Sequence, residues 1–127
     1  MIEQMVRIVD GRVVELKLHG LELSGALPAE IGQLTSLTEL VLNDNQLTSV
    51  PAEIGQLTSL KWLYLGGNQL TSVPAEIGQL ASLRSLTLGG NQLTRVPAAI
   101  CQLRAADCHV HLDDGVTVDG VLWRRLV

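Results

Sequence analysis

Hydrophobic and polar positions along this chain fall into a pattern that repeats. The segment LTSLTELVLNDNQLTSVPAEIGQ recurs as LTSLKWLYLGGNQLTSVPAEIGQ and again as LASLRSLTLGGNQLTRVPAAICQ, so that Leu34, Leu57 and Leu80 each open a copy, 23 residues apart. A unit that short cannot enclose a core, so each copy must bury its apolar side against its neighbours in a stack. The alternation around Leu40-x-Leu42, Leu63-x-Leu65 and Leu86-x-Leu88 predicts a short strand with one buried and one open face. After each of Asn45, Asn68 and Asn91 the chain turns, and Val50-Pro51, Val73-Pro74 and Val96-Pro97 begin short helical or 3₁₀ segments. Proline is tolerated in a first helical turn, and the glycine of PAEIGQ keeps the segment short. Ile31, Ile54, Ile77 and Ile100 are expected to point inward.

The ends depart from the pattern. MVRIV, then Asp10-Gly11, then RVVELKL predict a β-hairpin that caps the first edge, because Asp-Gly readily adopts the positive φ of a tight turn. A two-residue loop would put Met5, Arg7 and Val9 on the face of Val14, Leu16 and Leu18. A three-residue loop would put Val6 and Ile8 there; it buries no Arg and is preferred. Val13, Leu16, Leu18, Leu21 and Leu23 form a degenerate first copy, with Leu21 at the Asn position and an insertion at Ser24 to Pro28 that lengthens the unit by one residue. After Gln102, Cys108, Val110 and Leu112 continue the alternation as a last strand, one residue out of register with its predecessors. Asp114-Gly115 predicts a second hairpin, with Val116, Val118, Val121, Leu122 and Trp123 closing the open end. The layout is one domain over 1–127, with a cap strand at 1–12, four copies over 13–102 and a second cap at 103–127.

Leu37, Leu40, Leu42, Asn45 and Leu47 spell Leu-x-x-Leu-x-Leu-x-x-Asn-x-Leu, a motif that resembles the leucine-rich repeat family over about residues 13–112. The LSGALPAEIG wording of the first copy is similar to the plant-type subclass. The resemblance implies an α/β solenoid with a curved parallel β-sheet on its concave side and short 3₁₀ or helical turns on its convex side. Hairpin-like ends cap it. It also implies the family's usual work, holding another protein or ligand, although a fold alone does not choose the partner.

Composition narrows the reading. The core must be aliphatic, since Phe is absent and Trp62, Trp123 and Tyr64 are the only aromatics in 127 residues. A net charge of −4, with no basic cluster beyond Arg124-Arg125, argues against nucleic acid. The opening MIEQMVRIVDG carries Glu3 and Asp10 and no long apolar run. That points away from a secretory signal or membrane span and toward the cytoplasm. Cys101 and Cys108 read as free thiols, and no cofactor is expected.

Stacking would bring equivalent positions to roughly 4.8 Å from one another, in columns across the open face. One column holds Glu15, Glu39, Trp62, Ser85 and His109; the next Lys17, Val41, Tyr64, Thr87 and His111; the third His19, Asn43, Gly66, Gly89 and Asp113. The repeat requires nothing apolar at Trp62 or Tyr64, and exposed aromatics are enriched at binding hot spots. The plainer alternative is that they fill positions of high β-propensity. Gly66, Gly67, Gly89 and Gly90 either bare the backbone to a partner or relax a turn. Asn45, Asn68 and Asn91 stack as a structural ladder whose amides serve backbone groups left unpaired by the curving chain.

Cys108-His109-Val110-His111-Leu112-Asp113 contains metal-ligand residue types. His-x-His alone supplies two ligands where structural zinc takes four, so no metal is assigned. Glu30, Glu53 and Glu76 read as a solvated column, and Thr48, Thr71 and Thr94 as a by-product of repetition. The resulting expectation is a non-catalytic module that binds another protein through Trp62, Tyr64, Glu39, Val41, Asn43, Lys17, His19, Ser85, Thr87, His109 and His111, with Glu15 beside them. Self-association is the second reading. A weak metal or thiol site near the C-terminal cap is the third.

Overall fold

The computed structural model describes residues 5–123. In chain order the strands and helix are β1 (Val6–Val9), β2 (Arg12–Lys17), β3 (Ser24–Ala26), β4 (Glu39–Val41), β5 (Gln46–Ser49), β6 (Trp62–Tyr64), β7 (Ser85–Thr87), α1 (Ala99–Ala105), β8 (His109–His111), β9 (Thr117–Val118) and β10 (Val121–Leu122). The 3₁₀ turns Ala29–Gln33, Ala52–Gln56 and Ala75–Gln79 lie on the convex side. A six-stranded sheet runs β1-β2-β4-β6-β7-β8, parallel except for β1, and forms the concave side.

Each repeat buries its leucines because the repeats before and after supply the missing walls. Leu40, Leu63 and Leu86 face one another in register with no exposed surface, and Val110 continues the row. Behind them Ile54, Ile77 and Ile100 close the convex side of the core, with Ile31 also buried. Each 3₁₀ turn follows a proline in extended backbone, whose carbonyl accepts the isoleucine N–H, as from Ile54 N to Pro51 O at 3.1 Å.

The PAEIGQ glycine does more than shorten its turn. A Cβ on Gly55 would sit 2.7 Å from Glu76 O, and one on Gly32 would sit 2.8 Å from Glu53 O, so the glycine lets successive convex turns touch. The last copy has Cys101 at that position. There the thiol is exposed and the segment winds on as α1, seven residues against five in each 3₁₀ turn.

Asn45 and Asn68 are buried, and their amides bridge repeats. Asn68 Oδ1 accepts from Leu47 N at 3.0 Å while its Nδ2 donates to Leu42 O and Leu65 O, both at 3.0 Å. Asn45 Oδ1 accepts from both Leu21 N and Leu23 N, which serves the degenerate copy that lacks its own Asn. Asn91 repeats the arrangement on Leu70 N, Leu65 O and Leu88 O.

Both ends correct the sequence expectation. The first hairpin uses the two-residue loop, Val9 opposite Arg12, with Asp10 at φ 51 and Gly11 at φ 76 as a type I′ turn requires. A register shift between Arg7 and Ile8 then restores the faces, placing Val6 opposite Leu16 and Arg7 opposite Glu15. The bulge does for Val6 what the longer loop was expected to do, but Ile8, expected on the same face, is 61% exposed.

At the other end, the hairpin turns at Asp119-Gly120 and not at Asp114-Gly115. Asp119 and Gly120 have φ 50 and φ 78, and Val121 pairs with Val118. Asp113 to Val116 instead rounds the solenoid, with Val116 N donating to Asp113 O, so that Thr117 can bond Thr94 O and Val96 N on the preceding repeat. Val116, Val118 and Trp123 are buried as the lid, whereas Val121 is 43% exposed. β8 pairs in register with β7, Ser85 opposite His109. The extra residue between them is taken up along α1 and the turn after it, just as a register shift between Gly25 and Ala26 in the β3–β5 pair takes up the insertion. Arg124 and Arg125 lie outside the described residues.

Candidate partner-binding face

Residues with outward parity on the five parallel strands form continuous rows. The strand register joins Glu15, Glu39, Trp62, Ser85 and His109, then Lys17, Val41, Tyr64, Thr87 and His111. His19, Asn43, Gly66, Gly89 and Asp113 continue as a third row where the strands end, their backbones joined by bonds such as Gly67 N to Gly89 O at 2.9 Å.

Along those rows the chemistry changes in three steps. At the N-terminal end the charges are satisfied among themselves: Arg7 reaches Glu15 at 2.9 Å, and Lys17 lies 3.7 Å from Glu15 and 4.0 Å from Glu39. His19 Nε2 and Asp44 Oδ2 are 2.9 Å apart. These pairs are solvated, so each contributes little stability, at most about 1 kcal/mol. In the centre Trp62 and Tyr64 are half-buried, flanked in register by Glu39 and Val41. Toward the C-terminal end, Ser85 and Thr87 are half-buried and His109 and His111 are exposed.

The glycines at the strand ends serve two needs. Gly67 and Gly90 stand at φ 69 and φ 72, a conformation that Asp44 adopts at the same point of its copy, so they make the turn before each ladder asparagine. Gly89 instead makes room: a Cβ there would lie 2.5 Å from His111 Cε1. The His111 ring therefore folds over the strand end, and Asp113 Oδ2 accepts from Gly90 N at 3.0 Å beside it. The backbone at Gly89 is covered, not bared.

Cys108 is separated from the histidines. Strand alternation sends it to the buried side, where desolvation raises its thiol pKa and the Arg104 charge lowers it by less. Among the described residues no three His, Cys, Asp or Glu side chains are grouped as a metal site. On the flank, an open recess of about 530 Å³ between Thr71, Ser72, Thr94 and Arg95 holds hydroxyls and one guanidinium, with no acid–base pair.

Lys61 and Arg84, at the starts of β6 and β7, were passed over in the sequence. The signal was present, because the copies carry Thr38, Lys61 and Arg84 at one position and so differ there as they do at Trp62 and Tyr64. Asn43 shows a second feature only the structure reveals: its Oδ1 is buried without a hydrogen-bond partner.

Comparison with known proteins agrees with this geometry. Residues 35–93 match the family model described as Leucine rich repeat. No curated protein sequence matches the chain. Among solved structures the chain is similar to a leucine-rich-repeat protein of Leptospira interrogans, with 42% identity, TM-score 0.58, and coverage of 68% of this chain and 22% of that one. It is also similar to the BIR2 ectodomain of Arabidopsis thaliana, with 27% identity, TM-score 0.74, and coverage of 87% and 58%. A third likeness is to the ectodomain of the Arabidopsis thaliana membrane receptor kinase GASSHO1/SCHENGEN3, solved in complex with CASPARIAN STRIP INTEGRITY FACTOR 2, with 30% identity, TM-score 0.76, and coverage of 89% and 14%. The chain thus spans less than two thirds of each of these matched chains.

Proposed function

Since this chain is a leucine-rich-repeat solenoid, we propose that it is a non-catalytic module that binds another protein on its concave sheet. The observation that carries the reading is the placement of Trp62 and Tyr64. They occupy the centre of the sheet at outward positions where the repeat requires no apolar residue, with Val41 beside Tyr64. A stacked sheet loses little conformational freedom on docking, so rigid aromatic anchors convert efficiently into affinity. Glu39, Asn43, Lys17, His19, Ser85, Thr87, His109 and His111 form the polar surround. The similar receptor ectodomain, solved with its factor bound, supports a binding role for this architecture. The two free thiols favour the cytoplasm, which imaging of a tagged chain tests.

The test compares the native chain with Trp62→Ala plus Tyr64→Ala in a quantitative pull-down. Recovery of the specific partner is expected to fall at least about tenfold. Thermal melts of the two forms should superimpose within a few degrees, because the substitutions are on the open face. Unchanged recovery would remove the aromatic site. Self-association through the ends is the alternative, favoured by the exposed Ile8, Val9, Leu21 and Val121, all of which lie outside the regular copies. Light scattering that shows only monomer across a concentration series would sink it.

A further inference from the structure

Lys61 and Arg84 stand one repeat apart, and Arg84 N donates to Lys61 O at 2.8 Å. Neighbouring strands lie about 4.8 Å apart, so two like charges are held side by side, which is mildly unfavourable in itself. Elsewhere on the sheet Arg7 pairs with Glu15 and Lys17 with Glu15 and Glu39, while Arg12 meets only Ser36 Oγ at 3.5 Å. Among the described residues, no carboxylate lies within ion-pair distance of Lys61 or Arg84. Each directly precedes an outward residue of the central rows, Trp62 and Ser85, so the cations rim the aromatic centre.

Polarity reverses where the strands end. Asp44, Asp113 and Asp114 are exposed there, and Asn43 Oδ1 is buried and unpaired. The face therefore begins in cations and ends in acceptors, with Trp62 and Tyr64 between them.

We infer that the occupant is an acidic, apolar peptide segment: a carboxylate side chain against Lys61 and Arg84, and an aromatic or aliphatic residue on Trp62 and Tyr64. This rests on the concave-face reading above and adds the chemistry of the partner. The unpaired cations attract a carboxylate and repel a lysine, and such rim charges govern encounter rate and choice of partner. The effect weakens as salt screens it.

The test is an amide NMR titration of the full chain at low salt with two acetylated and amidated peptides, Asp-Glu-Gly-Trp-Leu and Lys-Lys-Gly-Trp-Leu. The acidic peptide is expected to bind about fivefold more tightly, with shifts centred on Lys61, Trp62 and Arg84. Lys61→Ser plus Arg84→Ser should erase the preference, and Trp62→Ala plus Tyr64→Ala should weaken both peptides. If both peptides bind the face equally and both need the aromatics, the acidic preference is overturned and the concave-face reading stands. If loss of both aromatics leaves both peptides binding as tightly as before, or the shifts lie off the face, the concave-face reading fails and this inference with it. Absence of binding by the acidic peptide also overturns the inference. Melts confirm that each variant is folded.

Discussion

Leu40, Leu63 and Leu86 lie on consecutive strands with no exposed surface, whereas the hairpins at either end leave Ile8 61% and Val121 43% exposed. In the middle every repeat is walled twice, once by its predecessor and once by its successor, and Asn68 ties its own repeat's backbone to that of the preceding one. At the ends there is one neighbour. The chain there relies on antiparallel hairpins with Asp-Gly turns, which are marginal alone and hold because β1 pairs with β2 and because Val118 and Trp123 pack into the stack. Stability therefore rises toward the centre, and the concave aromatics sit on the stiffest part of the molecule.

The sharpest way to break this contrast is Leu63→Ala, expected to cost about 2–5 kcal/mol in urea denaturation, against no more than about 0.5 kcal/mol for Val121→Ala. Comparable costs for the two would mean that the centre is no tighter than the ends. Next is Asn68→Ala, which strands Leu47 N and takes from Leu42 O and Leu65 O one of the two asparagine amides each accepts, and should cost roughly 1–3 kcal/mol. A loss well below that range would show that water replaces the amide.

Gly11→Ala and Gly120→Ala each force a side chain into positive φ with open space around it, so each should cost about 1–2 kcal/mol, borne locally. Hydrogen exchange should then quicken at β1 or β10 while β6 stays protected; quickening at β6 as well would show that the ends and the middle open as one unit.

The two cysteines offer a smaller contrast. Cys101 should react with a maleimide in the native protein and Cys108 only after unfolding. Because burial raises the Cys108 pKa, the native state holds that proton where the unfolded chain has released it. Stability should fall as pH rises from the ordinary thiol value through the raised one, and Cys108→Ala should flatten that slope. Smallest is Ile8→Lys, expected to change stability by no more than about 0.5 kcal/mol.

Much of the middle was legible from single residues. Leu40, Leu63 and Leu86 could be placed inward, and Glu39, Trp62 and Ser85 in one outward row, because a period of two leaves a strand only two faces and 23-residue repetition aligns successive copies. The ends were less legible. Two Asp-Gly pairs compete within a few residues of each other near the C-terminus, and local turn preference cannot say that Thr117 will be claimed by the backbone of Thr94. The bulge at Val14 was hidden for the same kind of reason: it is the sheet, not the turn, that demands Val6 beside Leu16. On the face, Lys61 and Arg84 were visible as letters, but their lack of carboxylate partners was not.

By itself the sequence determined the stack, its period, its aliphatic core and the rows of its open face, since all of these follow from spacing between near neighbours and from what a short unit must bury. Only the tertiary structure decided how each end closes, why Gly55 cannot carry a side chain, which charges satisfy one another and which do not. Several of those depend on contacts between residues more than 20 positions apart in the chain, such as Gly55 with Glu76, or Thr94 with Thr117, and no local pattern encodes them.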